Sequence, residues 1–135
     1  MSEIKITHTV KRLKPGKRRE ICLLTAEWCE KHMGVNKKLG VPKVRVISKS
    51  GSPFSGQYDP YAKQHEVLVH YNYCYSVMEM IKVVIHEWTH SLQPVVKEYD
   101  KLYEKYGYEK HPMEKEAKRN EKLWSKCWSE IKNKI

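Results

Sequence analysis

His86-Glu87-Trp88-Thr89-His90 has the pattern H-E-x-x-H, and the residues around it predict the helix on which the fold is organised. Between residues 77 and 92, apolar residues recur at spacings of three and four, which is typical of an amphipathic helix. His86 and His90 fall roughly 140° to 180° around the helix from Ile81, so they face away from the apolar stripe. Pro94 cannot donate a hydrogen bond to the carbonyl of His90, so we expect the helix to end or kink there. The apolar stripe comprises Val77, Ile81, Val84, Ile85, Trp88 and Leu92.

The two histidines of this pattern lie one helical turn apart and can bind the same metal ion. Two neutral imidazoles and one carboxylate leave an open position for water, which favours one zinc ion per chain at a hydrolytic site. Glu87 lies beside the histidines and is a candidate general base. The alternative is that His86 and His90 only decorate a helix, but their position opposite the apolar stripe favours a metal site.

Around this helix the sequence predicts a single α+β domain over residues 1–135, with a small mixed sheet of about three strands. Alternating or branched apolar residues predict strands at 4–10, 44–47 and 65–71. We expect the third of these strands to form the rim of a cleft, with His65 and His70 exposed on it. Helical spacing predicts a backing helix over 17–32, a helix from 95 to 106 that ends at Gly107, and a last helix from about 113 to 133.

A hydrolytic site needs a third protein ligand, and the start of the last predicted helix offers candidates. These are Glu114, Glu116 and, less favoured, His111. Helical geometry leaves the choice between the two glutamates open, because they flank the apolar stripe of that helix on opposite sides.

The segment His86-Glu-Trp-Thr-His90-Ser-Leu-Gln93, followed by Pro112-Met-Glu114-Lys-Glu-Ala117, resembles the active site of gluzincin metallopeptidases. The resemblance covers about residues 43 to 120 and extends to the short single-domain members found in archaea and phages, including the minigluzincins. It implies a zincin-like fold in which the glutamate helix supplies Glu114 as the third zinc ligand. Lys118 stands where many gluzincins have Asp or Asn, so the contacts that would orient His86 and His90 stay unassigned.

The resemblance implies a zinc peptidase that hydrolyses a peptide or protein substrate, with Glu87 transferring the proton. Gluzincins commonly add a Tyr or His that stabilises the oxyanion, and Tyr106, Tyr108 and His111 are the candidates. It also implies that the enzyme is latent if a chain segment lies in the cleft, either the tail at 132–135 or the N-terminal arm.

The formal net charge of +10 is more typical of a solvated, solubilising surface, but it is also compatible with nucleic acid or acidic protein partners. The alternative function is therefore a non-catalytic, zinc-stabilised basic module that binds nucleic acid or nucleoprotein, although no nucleic-acid motif accompanies the charge. The first residues resemble no signal peptide and no apolar run is long enough to span a membrane, so we expect a cytoplasmic location. The four cysteines form no C-x-x-C pair and are expected to be reduced.

Overall fold

The computed structural model describes residues 3–51, 54–94 and 96–135, which form a mixed α+β structure with one three-stranded sheet. Short 3-10 turns at Val10–Arg12, Tyr71–Tyr73, Glu121–Leu123 and Lys132–Lys134 connect or end the main elements. No described helix has both the length and the apolar character needed to cross a membrane. In chain order the helices and strands are α1 (Pro15–Met33), β1 (Lys43–Ile47), β2 (Gly56–Asp59), β3 (Glu66–His70), α2 (Val77–Leu92), α3 (Val96–Tyr106), α4 (Pro112–Asn120) and α5 (Trp124–Ile131).

Helix α2 runs through the core and confirms the prediction made from its apolar spacing. The side chain of Ser76 accepts a hydrogen bond from the backbone of Glu79 at its start, and the helix ends at Leu92, before Pro94. Every residue of the predicted stripe is buried except Leu92, which is partly buried against the core. Because this stripe faces inward, the opposite face of α2 is free to carry His86 and His90 toward a cleft.

The sheet has the order β1-β3-β2, with β1 parallel to β3 and β2 antiparallel to it. The prediction that β3 forms the rim of a cleft is wrong, because β3 is the central strand and its residues from 67 to 70 are buried. The prediction that His65 and His70 are exposed is also wrong, since His65 is 3% and His70 0% exposed. Strands β1 and β2 form the two edges of the sheet. The sequence did not predict β2, because Gly56–Asp59 lacks the branched residues that usually signal a strand.

The predicted first strand at residues 4–10 does not form. The backbone forms a turn here, in which the N–H of His8 donates a hydrogen bond to the carbonyl of Lys5. The N–H of Lys5 in turn donates to Nδ1 of the His8 side chain. The segment then hydrogen-bonds to the start of α2, with Val77 donating to His8 and Met78 to Ile6. Its alternating apolar residues therefore pack beside the helix N-terminus and take no place in the sheet.

The remaining helices surround α2. Helix α1 packs against α2 and β1, which confirms it as the backing helix. Helix α3 ends at Tyr106 as predicted, while Val95, its expected first residue, lies outside the described residues. The single helix expected over 113–133 is instead divided into α4 and α5 by the turn Glu121–Leu123. All four cysteines are free and buried.

Candidate metal centre

Helices α2 and α4 bring the residues of the centre together. Helix α2 supplies His86, Glu87 and His90, whose possible ligand atoms lie within 4.8 Å of one another and could hold a metal ion. The imidazole centroids of the two histidines are 5.0 Å apart, and their planes are inclined by 73°. Helix α4 contributes Glu114 to the same place, although the two helices are separated in the sequence by α3.

The carboxylate of Glu114 is the acidic group that approaches both Nε2 atoms most closely. Its Oε1 atom lies 3.0 Å from Nε2 of His86 and 3.1 Å from Nε2 of His90. The carboxylate of Glu87 is farther away, 4.0 Å from Nε2 of His86. The two Nε2 atoms therefore converge on one oxygen of Glu114, while Glu87 stands to the side.

A second set of hydrogen bonds fixes the other ring nitrogens. Nδ1 of His86 is 2.8 Å from Oε2 of Glu121, and Nδ1 of His90 is 2.6 Å from Oε1 of Gln93. Lys118 stands at the position where many gluzincins have Asp or Asn, and its Nζ atom lies 3.5 Å from Oε1 of Glu121. Acceptors at both Nδ1 atoms hold each ring in the orientation that directs Nε2 toward the centre, as such partners do in known metal sites.

The other candidate ligands have different roles. Glu116 is exposed and accepts a hydrogen bond of 2.8 Å from the amide of Gln93, so it contacts the centre only through that residue. The ring of His111 is buried and accepts the N–H of Met113, which caps the start of α4, while its Nε2 donates to the carbonyl of Tyr99. Neither side chain forms a hydrogen bond with the Nε2 atom of His86 or His90.

Tyr99 of α3 holds the second oxygen of Glu114. Its hydroxyl donates a hydrogen bond of 2.6 Å to Oε2, and its ring lies 4.1 Å from the ring of His111. Helix α3 therefore takes part in positioning Glu114, although its sequence showed only apolar spacing.

The charges of the centre are strongly coupled. Burial lowers the pKa of His86, but hydrogen bonds to Glu114 and Glu121 outweigh burial and raise it to about 10. Burial also lowers the pKa of His90, but its hydrogen bond to Glu114 outweighs burial and raises the pKa. For Glu114, burial is outweighed by hydrogen bonds from both histidines and Tyr99, which hold its pKa well below the usual range. These shifts favour protonated imidazoles, so a metal ion has to compete with protons at the Nε2 positions.

Glu87 has the opposite electrostatic character. Burial of its carboxylate raises its pKa to about 6, while the neighbouring histidines act to lower it. Strand β2 covers it closely at Gly56, where an added Cβ would lie 3.4 Å from Cγ of Glu87 and 2.3 Å from Val83. Only glycine leaves room for β2 to approach α2 here, so β2 packs closely against the side chains of Val83 and Glu87.

The centre lies in a cleft with two halves, which have volumes of about 1040 Å³ and 900 Å³. Neither half is lined by the tail at 132–135 or by residues 3–14, and Ile135 packs against the core. The side chains that line both halves are Phe54, Gly56, His86, Glu87, Tyr108 and Glu114.

Tyr108 is the tyrosine of the connecting segment that reaches the centre. It is 48% exposed, and burial together with the charges of Glu114 and Glu87 raises its pKa to about 12. Tyr106, the other tyrosine considered from the sequence, lines neither half of the cleft.

No protein-family model matches the chain, and no curated protein or solved structure is significantly similar to it. The resemblance to gluzincins therefore stays a prediction based on the residues that carry it.

Sequence reasoning missed the contacts that orient the histidines. Gln93 was quoted in the motif segment without a role, and Glu121 and Tyr99 were not considered. The signal for Glu121 was its spacing of seven residues from Glu114, which places both carboxylates on one face of a continuous helix. Tyr99 had no comparable signal, because nothing in its spacing separates it from a packing residue.

Proposed function

We propose that the chain is a zinc-dependent peptidase of the gluzincin type with a zincin-like fold. The observation that carries this proposal is the position of Glu114 Oε1, 3.0 and 3.1 Å from the two Nε2 atoms. Ligand atoms at about 2.0–2.1 Å from a tetrahedral zinc ion are about 3.3 Å apart, which is close to these distances. His86, His90 and Glu114 would therefore hold the ion after a small outward movement of the ligand atoms.

The choice of Glu114 over Glu87 as the third ligand follows from the same distances. Glu87 is the nearer residue in sequence, but its carboxylate is 1 Å farther from Nε2 of His86, at 4.0 Å against 3.0 Å. A carboxylate outside the ligand set is what a general base requires, because it must keep a lone pair for a proton.

Bound zinc would supply a Lewis acid that polarises a peptide carbonyl and makes a water molecule more acidic. Glu87 then accepts the proton of the attacking water on its carboxylate and passes it to the leaving amine nitrogen. Its pKa of about 6 suits this role, because a base with a pKa near neutrality can both take and return a proton. The Tyr108 hydroxyl, beside Glu114 and Glu87, would donate a hydrogen bond to the developing oxyanion.

The sheet supports a peptide as the substrate. Strand β2 pairs with β3 along one side only, so within the described chain its other side has no strand partner. Residues 56–59 of this strand line the cleft, and an extended peptide can add to such an edge through backbone hydrogen bonds. The pairing would place a backbone carbonyl of the peptide next to Glu87.

The proposal is tested by Glu87→Gln, assayed against a peptide library together with the zinc content of the purified protein. We expect hydrolysis to fall by about a hundredfold to ten-thousandfold, the usual contribution of a positioned general base. Zinc should be retained, because the variant leaves the three ligands in place. The control is Glu104→Gln, an exposed residue of α3 that lines neither half of the cleft. Equal hydrolysis by wild type and Glu87→Gln would contradict the mechanism.

A further inference from the structure

The two halves of the cleft differ in charge. We call the half that includes residues 115–124 the basic half and the one that includes residues 57–61 the apolar half. Five cationic side chains line the basic half. They come from α2, from α4 and from the turn after α4: Lys82, Lys115, Lys118, Arg119 and Lys122.

These cations lie close to the proposed catalytic residues. Lys82 is four residues before His86 and so one turn away on the same face of α2. Lys118 is likewise one turn after Glu114, and Lys122 continues the same row after another four residues. A side chain of a peptide bound at the centre would therefore meet this row within one or two residues of the bond to be cleaved.

Five carboxylates also line the basic half, but four of them are already engaged. Glu87 and Glu114 belong to the metal centre, and Glu121 contacts His86 and Lys118. Glu79 accepts the backbone N–H of Tyr75 at 2.5 Å. The exposed Glu109 is the remaining carboxylate of this half.

Few of the cations in the basic half form ion pairs. Lys118 forms an ion pair with Glu121. Lys82, Lys115, Arg119 and Lys122 form no ion pair with any residue in the described ranges. With Glu87 and Glu114 set aside as residues of the candidate metal centre, five cations face three carboxylates, Glu79, Glu109 and Glu121. The basic half therefore has an excess of positive charge that a ligand can neutralise.

The apolar half offers a different surface. Apart from Glu87 and Glu114, which line both halves, its lysines and aspartates balance, with Lys38 and Lys97 against Asp59 and Asp100. Large apolar and aromatic groups are exposed in it, including Leu39 at 49% and Tyr61 at 80%. This half suits an aliphatic or aromatic side chain of the substrate.

Strand β2 gives the two halves an order along the substrate. Ser55, just before β2, lines only the basic half, whereas Tyr58 and Asp59 at the C-terminal end of β2 line only the apolar half. Antiparallel pairing is slightly more stable per residue than parallel pairing. A peptide that pairs antiparallel with β2 has its N-terminal part in the apolar half and its C-terminal part in the basic half.

We propose that the site selects peptides with Asp or Glu on the C-terminal side of the scissile bond and an apolar residue on its N-terminal side. This inference rests on the proposed peptidase function and specifies its substrate class. Lysines and an arginine at the mouth of the basic half bind the acidic side chains, and the attraction weakens as salt screens the exposed charges.

The first test uses three decapeptides of equal composition except for the acidic residues. One has a Leu/Phe-containing N-terminal half and a Glu-containing C-terminal half, the second has the halves exchanged, and the third has Gln in place of Glu. Cleavage by the zinc-loaded wild type is measured by mass spectrometry. Binding to zinc-loaded Glu87→Gln is measured by fluorescence anisotropy of the labelled peptides. We expect the first peptide to bind and to be cleaved about three- to tenfold better than the other two, the range that two or three exposed ion pairs provide.

The two measurements separate failure of the inference from failure of the proposed function. Binding of the first peptide in preference to the others, without cleavage by the wild type, would contradict the peptidase proposal and support the ligand preference. Cleavage of all three peptides at equal rates would overturn the inference and leave the peptidase proposal intact. Preference for the second peptide would also overturn it, because the order of the two halves would be reversed.

The second test asks whether the basic half is the source of the preference. Lys115→Gln/Lys122→Gln removes two exposed cations of this half. Lys126→Gln/Lys132→Gln removes the same charge from exposed positions that line neither half. We expect the preference for Glu over Gln peptides to fall to about twofold or less in the first variant and to persist in the second. An equal loss in both variants would assign the preference to net charge and overturn the proposal.

Discussion

Helix α2 buries ten of its sixteen residues, whereas α4 buries two of nine, yet both contribute side chains to the candidate metal centre. The position of α2 follows from its apolar contacts with α1, the sheet and α5. Helix α4 has only Ala117 as a buried apolar residue. Its further contacts with α2 are polar, including Gln93 to the backbone of Met113 and Asn120 to Thr89.

The difference indicates that the two halves of the centre depend on different forces. Burial of apolar surface holds His86 and His90 whether or not a metal is bound. Glu114 reaches them because the hydrogen bonds of the centre also attach α4 to α2. Metal binding should therefore affect the position of α4 much more than that of α2.

The largest effect should come from a cavity in α2. Ile81 is 0% exposed, and Ile81→Ala is expected to lower the free energy of unfolding by about 2–5 kcal/mol. Met113→Ala in the half-buried first turn of α4 should cost only about 1 kcal/mol, in proportion to its smaller burial. Urea unfolding of the two metal-free variants measures both values. Equal costs would contradict the distinction between the helices.

The contacts between the helices should also make the metal-free protein sensitive to pH. The pKa of His86 is raised from 6.5 to about 10, so the folded state holds a proton there that the unfolded state releases. The resulting stabilisation is complete below pH 6.5 and is lost as the pH rises through about 10. The loss between pH 7 and pH 10 should be on the order of 3 kcal/mol.

This pH dependence is measured by urea unfolding of metal-free protein over that range. His86→Gln, which cannot hold the proton, should remove most of the slope. The stability of zinc-loaded wild type should not show this slope either, because coordination replaces the proton at Nε2 of His86. A wild-type stability that rises from pH 7 to pH 10 would contradict the assigned contacts.

A smaller effect is expected from the carboxylate that orients His86. Glu121→Ala removes the acceptor at Nδ1 and should weaken zinc binding by about tenfold to a hundredfold, the usual effect of losing such a partner. Glu104→Ala, on the exposed face of α3, is the matched control. Competition with a chromophoric chelator gives both affinities. Unchanged affinity in Glu121→Ala would mean that the core alone orients the histidines of α2.

The same contrast explains what the sequence could predict. Helix α2 was predicted with its stripe, its end before Pro94 and its outward histidines, because apolar burial leaves a periodic pattern. The division of the last helix at Glu121–Leu123 was not predicted, since the residues there are all compatible with a continuous helix. Strand β2 was missed because it lacks branched residues, and its close approach to α2 depends on the absence of a side chain at Gly56, which no periodicity reveals.

The central claim is that Glu114, and not a neighbouring acid, completes a zinc site with His86 and His90. It is tested most directly by the zinc content of wild type, Glu114→Ala and Glu116→Ala, each purified without added metal and then dialysed against a weak chelator. The account predicts one zinc per chain in wild type and Glu116→Ala and none in Glu114→Ala. Zinc retained by Glu114→Ala, or absent from reconstituted wild type, would contradict it.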